Sequence, residues 1–291
     1  MMQELEPGVR RIVAPNPSPM TAQGTCSYVL GTDRVAVIDP GPADARHIRA
    51  ILDGLDPGER VEAILVTHAH LDHSPGARLL SEATGVPIHA FGPPEAGRSE
   101  VMRGLAATGM AGGGEGVDAA FRPDAILADG AETGGATWQV RALHTPGHFG
   151  NHLSFAWGRR VFTGDVVMGW SSTLISPPDG DLGDYFRALE RLRSEGAAVF
   201  YPGHGAPVTA PEDRLNELAS HRHDRTAQIR AALAQGAHTV VDLTDRIYTD
   251  VPPALRGAAR RNVFAHLVEL VATGQAAVEG ALSPDARFHP A

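Results

Sequence analysis

The sequence contains no lysine: all 25 of its basic residues are arginine, set against 34 acidic residues. Every mechanism that needs a lysine Schiff base or a lysine general base is therefore excluded. The resulting net charge of −9 is also unfavourable for loose electrostatic binding to nucleic acid, although it leaves room for a local basic groove.

Cysteine and long hydrophobic runs are scarce as well. Cys26 is the only cysteine, so no disulfide can form within the chain, which is compatible with a reducing cytosol. No apolar run approaches the length of a bilayer span. The acidic N-terminus lacks the charged and apolar regions of a signal peptide. We therefore expect a cytoplasmic protein that does not contact a membrane.

What is present is typical of a globular protein with a sizeable core: 43% of the 291 residues are apolar and 20% are charged. Strand and helix patterns alternate through the first two-thirds of the chain, which indicates helices packed on sheets. Strands are predicted at residues 11–13, 27–30, 35–38, 61–66, 86–90, 138–143, 152–157, 161–162 and 199–201, and helices at 43–55, 77–83 and 185–193.

The pattern changes near residue 211, which predicts a domain over 1–210 and a smaller module over 211–291. Helices are expected at 213–235, 240–247 and 253–273, followed by a short strand at 275–279, an order that resembles a small winged-helix module. Arg256, Arg260 and Arg261 lie close together on the last helix. They either contact nucleic acid or form a solvent-exposed face of the helix.

Residues 92–118 are rich in glycine and proline. They form either a flexible flap or a disordered insert.

The highest density of potential metal ligands lies directly after the apolar run that ends at Val66. Thr67 is followed by a His-x-His-x-Asp-His pattern. In an extended chain residues two apart project the same way, so His68 and His70 suit one metal ion. Asp72 and His73 must turn elsewhere and suit a second ion. A surface histidine cluster is the alternative interpretation of the motif alone.

Three later segments each end a strand in a glycine-containing turn and present one more ligand candidate. These are His144-Thr-Pro-Gly-His148, Phe162-Thr-Gly-Asp165 and Tyr201-Pro-Gly-His204. Each segment is weak evidence alone, because a histidine after Pro-Gly is usually an ordinary loop residue. Together with the histidine turn they strongly indicate a metal site.

These segments resemble the metallo-β-lactamase superfamily over roughly residues 10–210, and the tail resembles the winged-helix module of the β-lactamase-like protein 2 family. The resemblance implies an αββα sandwich of the α/β class with two metals at one edge. It also implies that the first metal is bound by His68, His70 and His148, that the second is bound by Asp72, His73 and His204, and that Asp165 bridges both. Asp39 matches an acid beneath the site that orients ligand histidines. His144 is placed just outside the ligand set, where it is either an orienting or a structural residue, and His152 is similarly ambiguous.

Such a site predicts a hydrolase that uses a metal-bridging hydroxide, with zinc as the first expectation and iron or manganese as alternatives. Asp72 would also act catalytically, by steering the hydroxide and passing its proton to the leaving group. Among substrates single-stranded RNA or another phosphodiester ranks first, and a small ester, thioester or lactone second. A non-catalytic regulator that binds nucleic acid through the tail is the rival class. The sequence leaves open whether the protein forms a homodimer.

Overall fold

The apolar run before the histidine turn forms a central strand of a seven-stranded sheet in the computed structural model, which describes residues 1–291. The first four strands pair with antiparallel neighbours, and the fourth to the seventh run parallel. Strand order in the sheet follows chain order. The strands are β1 Gln3–Glu6, β2 Val9–Val13, β3 Cys26–Leu30, β4 Arg34–Ile38, β5 Arg60–Leu65, β6 Ile88–Ala90 and β7 Ala125–Ile126.

A second sheet of five strands packs against the first. Its strands are β8 Glu132–Gly134, β9 Gln139–His144, β10 Leu153–Trp157, β11 Arg160–Gly164 and β12 Val199–Pro202. Their order is β12-β11-β10-β9-β8, and only β11 and β12 are parallel. Buried side chains of both sheets, such as Leu65 and Phe155, meet in the core between them.

Helices cover the outer faces of both sheets. They are α1 Ala45–Asp53 and α2 Pro75–Thr84 on the first sheet and α4 Leu182–Ser194 on the second; α3 Glu100–Ala107 packs instead against the C-terminal module. Ile51 of α1 and Leu80 of α2 pack on the first sheet, and Leu189 of α4 packs on the second. The apolar stripes of these helices need such partners, because each helix buries only one face. This layering confirms the predicted αββα sandwich.

The C-terminal residues form the predicted winged-helix-like module. It contains α5 Pro211–Leu233, α6 Val240–Ile247, a 3₁₀ turn Pro253–Leu255, α7 Arg256–Ala272, and a small antiparallel sheet of β13 His238–Thr239, β14 Ala276–Val278 and β15 Arg287–Pro290. The start of α6 is fixed by a capping box, in which Thr239 and Asp242 satisfy each other's backbone amides. No helix of the protein is long and apolar enough to cross a bilayer.

Helix α5 belongs to both parts of the molecule. Leu215 and Leu218 in its first half pack with α4 in the outer core of the sandwich. Ile229 and Leu233 in its second half lie in the core of the module. The division at residue 210 therefore stays a prediction, because the helix that begins there joins the two cores.

The segment predicted as a flap or disordered insert, 92–118, contains a helix that the pattern did not reveal. Met102 and Leu105 of α3 are buried in the core of the C-terminal module. Ser99 caps the helix, since its hydroxyl accepts from the amide of Met102 at 3.3 Å. The apolar pattern of α3 spans only two turns and lies between segments that contain glycine and proline. It is therefore too short to predict a helix from the sequence.

Candidate metal centre

The histidine turn follows β5 and places four side chains at the edge between the two sheets. His68, His70, Asp72 and His73 are each at most 4% exposed. The turn is tight because the amides of His73 and Ser74 both donate to the carbonyl of His70, at 3.0 and 3.1 Å. Helix α2 begins at the next residue, which fixes the turn from both sides.

Three later strand ends bring the other candidates to the same edge. His148 follows β9, Asp165 follows β11 and His204 follows β12. Because β11 and β12 are parallel neighbours, their carboxyl ends lie side by side. Each of the three side chains is at most 6% exposed. The structure thus brings together all seven residues that the sequence singled out as ligands.

Two glycines in these turns, Gly147 and Gly164, are sterically required. Gly147 has a φ of +134°, and a Cβ there would lie 2.4 Å from the Cα of Tyr185. Gly164 has a φ of +47°, and its Cβ would lie 2.5 Å from Nε2 of His152. Any side chain would displace the turns that aim His148 and Asp165.

One group of ring nitrogens is made only of imidazoles. Nε2 of His68 lies 2.9 Å from Nδ1 of His70, which lies 3.0 Å from Nε2 of His148. These three atoms converge on one point and could hold one ion.

The second group, next to the first, combines the imidazoles of His73 and His204 with the carboxylate of Asp72. Nε2 of His204 lies 3.4 Å from Nε2 of His73 and 3.2 Å from Oδ2 of Asp72. Asp165 lies between the two groups, with Oδ2 3.2 Å from the ring of His204 and 3.8 Å from that of His148. Its carboxylate is therefore placed to touch an ion in either group.

The hydrogen bonds of the outer ring nitrogens show which atoms face inward. Nδ1 of His148 lies 2.8 Å from the carbonyl of Leu174, and Nδ1 of His204 lies 3.2 Å from that of Gly24. A carbonyl only accepts, so both Nδ1 atoms carry hydrogen. Nδ1 of His73 likewise lies 2.8 Å from a carboxylate oxygen of Asp39. In the neutral ring each remaining Nε2 then points a lone pair at the centre.

Converging lone pairs in the imidazole group fit a cation, and in the second group a cation can take the place of the protons shared between imidazoles and carboxylates. A tetrahedral ion with metal–nitrogen distances near 2.0–2.1 Å separates its ligands by about 3.3 Å, close to the spacings within both groups. The Oδ1 atom of Asp165 is buried without a hydrogen-bond donor, which is costly unless a cation supplies its partner. The donor set, imidazole with carboxylate and no thiolate, suits divalent ions such as zinc, iron or manganese.

The two groups differ in how they hold protons. Burial, together with the neighbouring His148, lowers the pKa of His70 to about 3, so the imidazole group stays neutral. Burial also opposes protonation of His204, but Asp165 and Asp72 outweigh it and raise the pKa of His204 to about 10. The pKa of His73 is raised by the same carboxylates against its burial. Without a cation the second group is held by protons in ion pairs.

Asp39 lies directly beneath the second group. Its Oδ2 accepts from Nδ1 of His73, and its Oδ1 accepts from the amide of Thr67 at 2.7 Å. The hydroxyl of Thr67 also donates to Asp39 and therefore accepts from Nδ1 of His68 at 2.9 Å. Asp39 has a φ of +47°, a backbone conformation that Asp tolerates better than most residues. One buried carboxylate thus orients ligand candidates of both groups.

His144 and His152, whose roles the sequence leaves open, have different surroundings. His152 is buried, and its Nε2 accepts from the amide of Asp165 at 3.2 Å. His144 hydrogen-bonds to the carbonyl of Gly150 at 2.9 Å, and its ring stacks on Phe91 at 3.9 Å. These contacts of His144 lead away from the ligand set.

Sequence reasoning missed three threonines that support the centre. Thr25 donates to Oδ2 of Asp72 at 3.0 Å, and Thr173 lies 2.9 Å from Nδ1 of His148. Thr67, described above, is the third. Only Thr67 carried a signal, as it adjoins the histidine turn. The other two come from loops whose approach depends on the tertiary fold.

A cavity of about 250 Å³ opens over the ligand candidates. The ligand wall consists of His70, Asp72, His148, Asp165 and His204. A second part of the lining, the module wall, comes from the C-terminal module and consists of Tyr248, Val251, Leu255, Ala258, Ala259 and Asn262. Met168, Trp170 and the loop through Leu174 close one side, and Glu115 closes another. No arginine lines this cavity.

The arginine cluster of the last helix is largely engaged within the protein. Arg256 pairs with Asp245 at 2.9 Å, and Arg261 donates to the carbonyl of Ala111 at 3.0 Å and to Ser176. Arg260 is the one member that is exposed without such a partner.

Comparison with known proteins agrees with the geometry. Residues 20–204 match the profile of the metallo-beta-lactamase superfamily. The chain belongs to the metallo-beta-lactamase superfamily. Residues 239–284 match the beta-lactamase associated winged helix domain, which confirms the second half of the resemblance. The protein is a hydrolase of this superfamily with a histidine–aspartate cluster for divalent metal.

Individual relatives cover most of the chain. A beta-lactamase-like protein 2 homolog of Caenorhabditis elegans is 30% identical, over 94% of this chain and 87% of its own. An atrochrysone carboxyl ACP thioesterase of Aspergillus fumigatus is 28% identical, over 85% of this chain and 76% of its own. A solved metallo-beta-lactamase family protein of Thermus thermophilus aligns with a TM-score of 0.78 at 25% identity, covering 99% and 100% of the two chains.

Proposed function

We propose that the protein is a two-metal hydrolase of small acyl esters or thioesters. His68, His70 and His148 would hold the first ion, Asp72, His73 and His204 the second, and Asp165 would bridge them. The convergence of the lone pairs and the unpartnered oxygen of Asp165 support this assignment. Bound there, two divalent ions would supply Lewis-acid polarisation of a carbonyl and an activated water at neutral pH.

Asp72 is the residue we assign to proton transfer. Its Oδ2 is fixed by the hydroxyl of Thr25 at 3.0 Å and lies beside the ring of His204. Oδ1 has no partner within the protein and is not sealed from solvent, and Asp72 lines the cavity. The free oxygen can therefore take a proton from the attacking water and deliver it to the departing alcohol or thiol.

The observation that carries the substrate class is the module wall. Five of its six residues that line the cavity have alkyl or aromatic side chains. An acyl arm placed against it would gain about 0.8 kcal/mol per buried methylene. A phosphodiester backbone would find Glu115 and no arginine in the same space, although cationic side chains dominate the affinity of proteins for nucleic acids. The similarity to a named thioesterase also supports an acyl substrate.

Single-stranded RNA, ranked first from the sequence, becomes the second candidate. Two aromatic side chains favour it: Trp170, 45% exposed at the cavity, and Tyr248. Bases stack on such rings with little sequence preference. Against it stand the engaged Arg256 and Arg261 and the net charge of −9.

A substrate panel on metal-loaded protein tests the proposal. It compares octanoyl and acetyl thioesters of N-acetylcysteamine, an aryl ester, a lactone, single-stranded RNA and an aryl phosphodiester, with Asp165→Asn as the blank. We expect the octanoyl thioester or an ester of similar length to have the highest kcat/KM. Faster turnover of RNA than of every acyl substrate would overturn the proposed class.

A further inference from the structure

One polar residue interrupts the apolar module wall. Asn262 lies on α7 one turn after Ala258 and Ala259 and two turns after Leu255, so all four share one face of the helix. The residue is half-buried and lines the cavity together with Thr173 and Leu174. An amide in an alkyl surface is costly to cover unless something hydrogen-bonds to it.

Two donors fix the orientation of this amide. The backbone N–H of Ile175 donates to Oδ1 of Asn262 at 3.1 Å, and the guanidinium of Arg222 donates to the same atom at 3.0 Å. Because both partners are donors, the atom they meet must be the oxygen. Nδ2 has no partner within the protein and is not sealed from solvent. Both N–H groups of Nδ2 are therefore free to donate to a molecule bound in the cavity that Asn262 lines.

Arg222 is an unusual anchor for a surface amide. It is 1% exposed and has no carboxylate partner; it donates to Asn262 and to the carbonyl of Thr173, and its guanidinium lies 5.6 Å from the ring centre of Tyr185. An unpaired buried cation costs several kcal/mol, so its retention calls for a compensating role. A cation at the amide oxygen also polarises the N–H groups and makes them stronger donors.

We propose that Nδ2 of Asn262 donates to an oxygen carried by the acyl arm of the substrate, so that the site selects oxygenated acyl chains. This inference rests on the proposed function. The scissile carbonyl must lie at the ligand wall, whereas Asn262 belongs to the module wall and would meet a different part of the substrate. Arg222 is a positioning residue that holds the amide. A saturated chain would cover the N–H groups and leave them unsatisfied, a penalty that corresponds to roughly ten-fold to a hundred-fold in affinity.

The test compares octanoate with oxo-octanoates that carry one ketone at successive chain positions. These acids share a carboxylate and a chain length, and they differ in one oxygen. Their dissociation constants are measured by calorimetry on metal-loaded protein, and kcat/KM is measured for the matching thioesters. We expect at least one oxo-octanoate to bind about ten-fold or more tightly than octanoate. Equal affinity across the wild-type series would overturn the inference without any variant.

Asn262→Asp removes the donor but keeps an acceptor for Ile175 and Arg222. We expect this variant to lose the preference for the oxo chain while it retains its metal content, and its melting temperature should not fall, because the new carboxylate pairs with Arg222. Asn216→Asp makes the same change, with the same added charge, at an exposed site on α5 and should keep the preference. An equal loss for saturated and oxo substrates in Asn262→Asp would contradict the selective role.

The two proposals fail in different ways. If metal-loaded wild-type protein turns over no ester or thioester, the proposed function is wrong. If it turns over saturated and oxo thioesters equally well, only the role of Asn262 is wrong.

Discussion

The two walls of the cavity differ in almost every physical respect. The ligand wall is ionisable and buried, and its residues His148 and His204 are held by hydrogen bonds to backbone carbonyls. The module wall is alkyl and aromatic, with the amide of Asn262 as its one amide group. The first wall fixes a type of reaction, since any carbonyl or phosphoryl group could react there. In the proposed function the second wall selects the molecule that reacts there, which assigns substrate choice to the C-terminal module.

The largest effect is expected on the ligand wall. Asp165→Asn removes the carboxylate that joins the two groups, and we expect kcat/KM to fall on the order of a thousand-fold or more with loss of bound metal. Metal content by mass spectrometry and acyl hydrolysis are measured together. Asp213→Asn, on the exposed first turn of α5, is the matched control and should be unchanged. Full activity of Asp165→Asn with two bound ions would refute the assignment.

A change to the module wall should act on specificity and not on metal. Ala258→Phe fills part of the cavity, so we expect kcat/KM for an octanoyl thioester to fall about ten-fold while that for an acetyl thioester changes little. Ala272→Phe makes the same change at an exposed position of α7 and serves as the control. If Ala258→Phe slows both substrates equally, the module wall does not hold the acyl arm.

A pH series on chelator-treated protein distinguishes the two ligand groups. The pKa of His204 rises from 6.5 to about 10 in the folded metal-free protein. Its stabilising contribution is therefore complete below pH 6.5 and is lost as the pH rises towards 10. We expect the melting temperature of metal-free protein to fall over this range and that of metal-loaded protein to change less, because a cation replaces the proton. A melting temperature of metal-free protein that is flat or rising would contradict the ion-paired state.

The smallest effect is expected outside both walls. Arg260→Glu reverses the exposed charge of the arginine cluster, and we expect less than about a two-fold change in acyl hydrolysis, in line with other surface changes. Its effect on RNA binding is followed by gel shift at two salt concentrations. A large loss of RNA affinity at unchanged acyl hydrolysis would show that the module has a separate nucleic-acid surface.

The ligand wall was predictable because its residues lie in short motifs that a strand end and a glycine turn present locally. His148 and His204, for example, each follow a Pro-Gly pair. Asp39 could be named only through the family resemblance. The three tail helices were also predicted, since their apolar patterns extend over several turns. The strand and helix patterns indicated helices packed on sheets, and the αββα sandwich followed from the family resemblance.

The module wall could not be predicted in the same way. Whether Leu255 or Asn262 faces the centre depends on how α7 packs against the sandwich, and that is decided by α5, which lies in both cores. Helix α3 was missed because its stripe is short, and its burial comes from Met102 and Leu105 meeting the module. The ranking of RNA above acyl substrates rests on the family resemblance, which carries no information about the composition of this wall.

The most direct test of the account is the ratio of kcat/KM for octanoyl and acetyl thioesters on zinc-loaded wild-type protein. If the acyl arm lies against the module wall, each buried methylene gains roughly four-fold, and the ratio should reach about one hundred or more. A ratio near one would show that the module wall does not bind the acyl arm and would contradict the proposed function.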